Sequence, residues 1–73
     1  KNGIGIEKNE VLAFQWYQKA AEKGFHISQT QMGHFYRLGL GGVSKNMEIA
    51  KNWYEKAAEQ GNTMAIDMLK KYF

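Results

Sequence analysis

The sequence predicts an all-α protein built as a short stack of antiparallel helix pairs. Three observations predict it. The stretch Trp16-Tyr17-Gln18-Lys19-Ala20-Ala21-Glu22-Lys23-Gly24 returns 37 positions later as Trp53-Tyr54-Glu55-Lys56-Ala57-Ala58-Glu59-Gln60-Gly61. In each copy the apolar residues fall at steps of three and four, which sets them on one helix face. Proline is absent, and no segment alternates apolar and polar residues as a half-buried strand does.

In chain order, Lys1 to Lys8 reads as a loop punctuated by Gly3 and Gly5, with Asn9 as the N-cap of a helix. That helix is expected from Glu10 to Lys23. Its stripe is Leu12, Ala13, Trp16, Tyr17, Ala20 and Ala21, and Gly24 ends it. Phe25-His26 makes a tight turn. A second helix follows over Ile27 to Leu38, with Ile27, Met32, Phe35, Tyr36 and Leu38 as its apolar set. Gly33 sits in its middle, at a propensity cost of ~1 kcal/mol relative to alanine. The expected compensation is a neighbouring helix passing close over the missing side chain.

Gly39 to Lys45 is a glycine-rich loop, and Asn46 caps a third helix over Met47 to Gln60. Ile49, Ala50, Trp53, Tyr54, Ala57 and Ala58 repeat the first stripe position for position. Gly61 closes this helix. Asn62 or Thr63 then caps a fourth, carrying Met64, Ala65, Ile66, Met68, Leu69, Tyr72 and Phe73.

Offset by 37, residues 1–36 and 38–73 share eleven identities in 36 pairs. The identical residues include two large aromatics set against three small alanines, with a glycine at the stop. This is the composition of a packing cassette, in which small residues let helices approach and aromatics fill the space beside them. The units read as residues 1–24, the second half of one repeat; 25–61, a complete repeat; and 62–73, the first helix of the next. The chain opens on Lys1, and its phase leaves both ends without a neighbour, so it reads as a piece of a longer array. Tyr72, Phe73 and part of the first helix's stripe are therefore expected to be exposed, with marginal stability or self-association as the consequence.

These residues resemble Sel1-like repeats, relatives of the tetratricopeptide repeat. The resemblance rests on Met32-Gly33, Tyr36, Gly39, Gly42-Val43, Asn46, Ala50, Trp53-Tyr54, Lys56-Ala57-Ala58-Glu59 and Gly61. The preceding copy adds Gly3, Gly5-Ile6, Asn9, Ala13, Trp16-Tyr17, Lys19-Ala20-Ala21-Glu22 and Gly24. Departures are Ser28 in place of alanine, Lys70 in place of the glycine matched by Gly33, and one extra residue in the 39–43 loop. The substitution at Lys70 implies looser packing of the last helix.

The resemblance implies a right-handed α–α superhelix and a non-enzymatic scaffold that binds a protein or peptide on its concave face. The helices at 27–38 and 63–72 would line that face. Thr30, His34 and Arg37 share a side of the first of these helices. Asp67 and Lys71 are the counterparts of Thr30 and His34 in the next copy. These five are the expected groove residues, with Arg37 and Lys71 suited to a carboxylate or phosphate. Two other roles remain open: a spacer or regulatory module attached to an enzyme domain, and an RNA-binding helical repeat.

Other chemistries have little support. The Gly39–Gly42 loop follows a helix and not a strand, so it does not match a phosphate loop. His26 and His34 lack further ligands, the chain has no cysteine, and no nucleophile–base or paired-carboxylate arrangement is visible. No cofactor or metal is expected. The net charge of +3 is spread through interleaved Lys and Glu, which describes a solvated helix face and argues against nucleic acid. The core is expected to claim Trp16, Tyr17, Trp53 and Tyr54, so membrane binding is not expected either. The lack of cysteine and of a visible signal peptide points to a cytoplasmic setting.

Overall fold

The computed structural model describes the backbone from Asn2 to Phe73 and the side chains from Asn9 onward. Four helices follow one another: α1 (Asn2–Glu22), α2 (His26–Leu38), α3 (Met47–Glu59) and α4 (Thr63–Tyr72). Each packs chiefly on the helix before it and the helix after it. The N-terminus of α3 meets the C-terminus of α2, where the Asn46 N–H donates to the Tyr36 carbonyl at 2.8 Å. At the other end Gln60 reaches Gly24, so the two helices are antiparallel. The body measures 39 × 24 × 16 Å.

Glycine stops the helices as the sequence requires. Gly24 and Gly61 take φ of 99° and 89°, a conformation only glycine enters without strain. In both copies the next residue donates back to an alanine carbonyl five residues earlier, Phe25 to Ala20 and Asn62 to Ala57. The glycine itself donates to Ala21 in one copy and Ala58 in the other. These are paired Schellman closures, and they satisfy carbonyls that a helix end leaves open. The Asn46 side chain accepts from Ile49 N–H and the Asn62 side chain from Ala65 N–H, so both asparagines are N-caps.

Three local expectations are corrected. Helix α1 begins at Asn2, not Glu10, so Asn9 lies inside the helix and is no cap. In the second copy the equivalent loop is held by bonds to the end of α2. No counterpart of α2 stands before α1 among the described residues, and there helical continuation pairs the backbone groups instead. The expected roles of Lys1 and of the side chains through Lys8 lie outside the described residues. The second correction is that His26 opens α2 and does not belong to the turn. The third is that α3 stops at Glu59, with Gln60 at its C-cap.

The core has two parts. Ala21, Met32 and Phe35 form one, with Phe14, Tyr17, Tyr36 and Trp53 packed around them. Ala50, Tyr54, Ala57 and Ala65 form the other, flanked by Tyr36, Met68 and Leu69. Tyr36 joins both. Phe14 meets Phe35 and Tyr36 edge-on at 5.4 and 6.0 Å between ring centroids, a favourable aromatic geometry.

Gly33 has the close neighbour expected for it. A Cβ there would lie 2.6 Å from Cδ1 and 2.8 Å from Cζ of Tyr54. Helix α3 therefore rides over α2 with its tyrosine ring on the glycine.

Trp16 does not join the core as expected and is 75% exposed. Its counterpart Trp53 is half-buried because it packs on the Ala21–Met32–Phe35 cluster, which belongs to the preceding helix pair. No such pair stands in front of Trp16 among the described residues. Leu12, Tyr72 and Phe73 are exposed as well, as expected of helices at the two ends.

Candidate protein-binding groove

Two turns and two helix starts shape a recess between repeats. An open hollow of about 380 Å³ lies between the N-terminal ends of α2 and α4. His26, Ile27, Thr30 and Gln31 line one side. Gly61, Asn62, Thr63 and Met64 line the other. Ile27 and Met64 are counterparts in the two copies, and they are 65% and 50% exposed. Apolar side chains of this size, exposed at matching positions on both walls, can grip apolar groups of a ligand.

Polar bonds fix the walls. The Asn62 Oδ1 is occupied by the Ala65 N–H, which leaves the amide nitrogen to donate to His26 Nδ1 at 2.9 Å. That bond needs an unprotonated Nδ1, so the His26 proton sits on Nε2. Gln60 donates to the Gly24 carbonyl at 2.9 Å and to Gln29 Oε1 at 3.0 Å. Gln29 is buried and donates in turn to the Ala21 carbonyl. One chain of amides thus ties the first turn to the second.

The five expected groove residues fall in different settings. Thr30 is 3% exposed and forms part of the floor, with its hydroxyl donating to the His26 carbonyl at 3.0 Å. His34 and Arg37 are half-buried and meet at the Tyr54 hydroxyl. Arg37 Nε donates to that oxygen at 3.0 Å, and the hydroxyl proton is then free to donate to His34 Nδ1 at 2.7 Å. Arg37 also lies over the Tyr72 ring, 4.5 Å from its centroid. Asp67 and Lys71 stand exposed on α4, apart from this network.

The electrostatics follow from burial. Desolvation, helped by the Arg37 charge, holds His34 below the ordinary imidazole value, so it stays neutral and accepts from Tyr54. Burial also raises the Tyr54 hydroxyl, against the opposing hydrogen bond and charge of Arg37. Among the described residues no cluster of three His, Asp or Glu could hold a metal ion. No described helix is long and apolar enough to cross a membrane.

A larger hollow, about 680 Å³, lies on the outside of α1 beside Trp16 and Phe25. It is the less convincing binding groove. The equivalent face of α3 is where Trp53 meets the preceding helix pair, so this hollow matches a stacking seat.

Sequence reasoning missed Ile27, Met64 and Tyr54 as parts of this region. Ile27 belongs with Met32 in the apolar set expected of this helix. Five residues correspond to about 140° around a helix, so the two cannot share a face. Tyr54 lies in the core as its spacing predicts, and spacing carries no signal for the bonds of its hydroxyl to His34 and Arg37.

The profile for the Sel1 repeat matches residues 1–25 and 26–62. The crystal structure of a Sel1 repeat protein from Oxalobacter formigenes is similar, at 46% identity and a TM-score of 0.82. The alignment covers 86% of this chain and 47% of that one, so the chain spans about half the length of that protein. No curated protein matches significantly. With two adjoining profile matches over residues 1–62 and a solved relative 46% identical across 86% of this chain, the chain belongs to the Sel1 repeat family.

Proposed function

We propose that the chain is a non-enzymatic scaffold that holds an extended peptide segment of a partner protein in the groove between α2 and α4. Sel1 repeats are in general protein-interaction modules. The observation that carries the finer reading is the matched exposure of Ile27 and Met64 on the two walls of one hollow. Their spacing selects a ligand with two apolar side chains. His34, Arg37 and Lys71 continue along the same two helices. They favour an acidic group on the ligand, because Arg37 keeps N–H groups beyond the one given to Tyr54. Thr30 supplies floor, and Asp67 discriminates against a ligand that is acidic along its whole length.

A displayed peptide library selected on this chain tests the reading. The expected winners carry two apolar residues and an acidic one, and their binding falls at least about tenfold in Ile27→Asp and Met64→Asp. Lys71→Ala should weaken acidic ligands alone. Selected peptides that bind both aspartate variants as well as wild type would sink the groove assignment and favour the spacer role.

A further inference from the structure

The two ends of the stack are not alike, and the difference lies in three positions of α4. Ile66, Asp67 and Lys70 are the 37-residue counterparts of Gln29, Thr30 and Gly33. In α2 all three positions are buried. Gln29 accepts from Gln60, beyond the end of α3, and Gly33 lies under the Tyr54 ring. In α4 the same positions face outward, with Asp67 and Lys70 exposed.

We propose that this outer face of α4 rejects a second copy of this chain: the partner's α1 does not seat there in the α2–α3 geometry. The obstacle is steric first. A bare Cβ at Gly33 already lies 2.6 Å from Tyr54 Cδ1, and Lys70 brings a whole side chain to that position. In a second copy the approaching ring is Tyr17, the counterpart of Tyr54. The second obstacle is desolvation. Seating a helix there would bury Asp67 where Thr30 is buried, and would trap the Lys70 ammonium beside it. The exposed apolar residues of α1 therefore have no complementary seat at the other end of the same chain. Head-to-tail assembly through that seat is blocked, which narrows the expectation of self-association through the terminal faces.

Two variants test this on the intact chain. The double variant Asp67→Thr/Lys70→Gly removes both obstacles, and sedimentation velocity over rising concentration should show association at least about tenfold tighter than wild type. Gly33→Lys imports the obstacle into α2 and should abolish cooperative melting. An Asp67→Thr/Lys70→Gly chain that keeps α4 helical yet associates no more than wild type would overturn the proposal. So would a Gly33→Lys chain that melts like wild type. Wild-type association that weakens in Ile66→Glu would also overturn it, because that outcome requires the α4 face to be a seat already.

Discussion

The Tyr54 ring lies on Gly33, and its hydroxyl is held from both sides by Arg37 and His34. The ring is 0% exposed, so it is fixed at the face and at the tip. This one side chain sets the distance between α2 and α3. It is also why the least helix-favouring residue of α2 occupies its middle.

Gly33→Ala is expected to destabilise the chain. A methyl in a full site costs about 1–3 kcal/mol, against a gain of about 1 kcal/mol in helix propensity. The net loss should be up to about 2 kcal/mol, read from urea midpoints. In a Tyr54→Phe background the same change should cost less, because the ring has lost its tether and can shift. Equal costs in both backgrounds would show that the tether does not hold the ring.

Tyr54→Phe alone should cost about 1 kcal/mol, the usual net value of a side-chain hydrogen bond. His34 and Arg37 are half-buried, so water can replace part of what is lost. The same variant removes the hydroxyl that donates to neutral His34 and should raise the His34 pKa. A histidine titration followed by NMR would report the change.

Stability should fall as pH drops below His34's ordinary value of 6.5. The unfolded chain takes up a proton near that value, whereas folded His34 does so only at lower pH. The unfolded state then binds more protons, and the contribution is lost between the two values. His34→Gln should flatten this part of the curve. Urea midpoints measured between pH 5 and pH 7.5 would check it, and an unchanged slope in the variant would assign the effect elsewhere.

The two asparagine caps should differ. Asn46→Ala removes one cap bond, at about 1 kcal/mol. Asn62→Ala also removes the bond to His26 and should cost about 0.5–1 kcal/mol more. It should slacken one wall of the groove as well, so peptide affinity should fall in Asn62→Ala and hold in Asn46→Ala.

The two tryptophans should differ more sharply. Trp53→Ala opens the side of a packed cluster and should cost roughly 2–3 kcal/mol. Trp16→Ala should change stability by less than about 0.5 kcal/mol, as expected of an exposed site. Thermal melting of the two variants side by side would show it.

Most of the fold could be read from spacing. The glycine stops, the Asn46 cap and the partner over Gly33 follow from local rules that depend on a few neighbouring residues. The errors lie where the outcome depends on residues far along the chain. Trp16 has the same local sequence as Trp53, and only the presence of a preceding helix pair decides whether such a residue is buried. Asn9 has the sequence of Asn46 but not the α2 end that holds Asn46 in place. For the groove, stepping by three and four from Thr30 found His34 and Arg37. It could not show that the Thr30 hydroxyl turns back on its own helix, or that Arg37 and His34 share one oxygen. The helical angle alone separates Ile27 from Met32, although both are apolar.

Gln60 uses both hydrogens of one amide, the first on the carbonyl of Gly24 and the second on Gln29. The two turns at the groove's mouth are therefore stitched into a single rim. In the proposed peptide-holding role, a ligand pulled along the groove would load that rim in shear, distributing the force over several amides and two helix ends. Under the proposed role the stitch would govern grip under tension more than affinity at rest. Replacing Gln60 with its first-copy counterpart, lysine, would leave two separate loops to bear the pull one after the other.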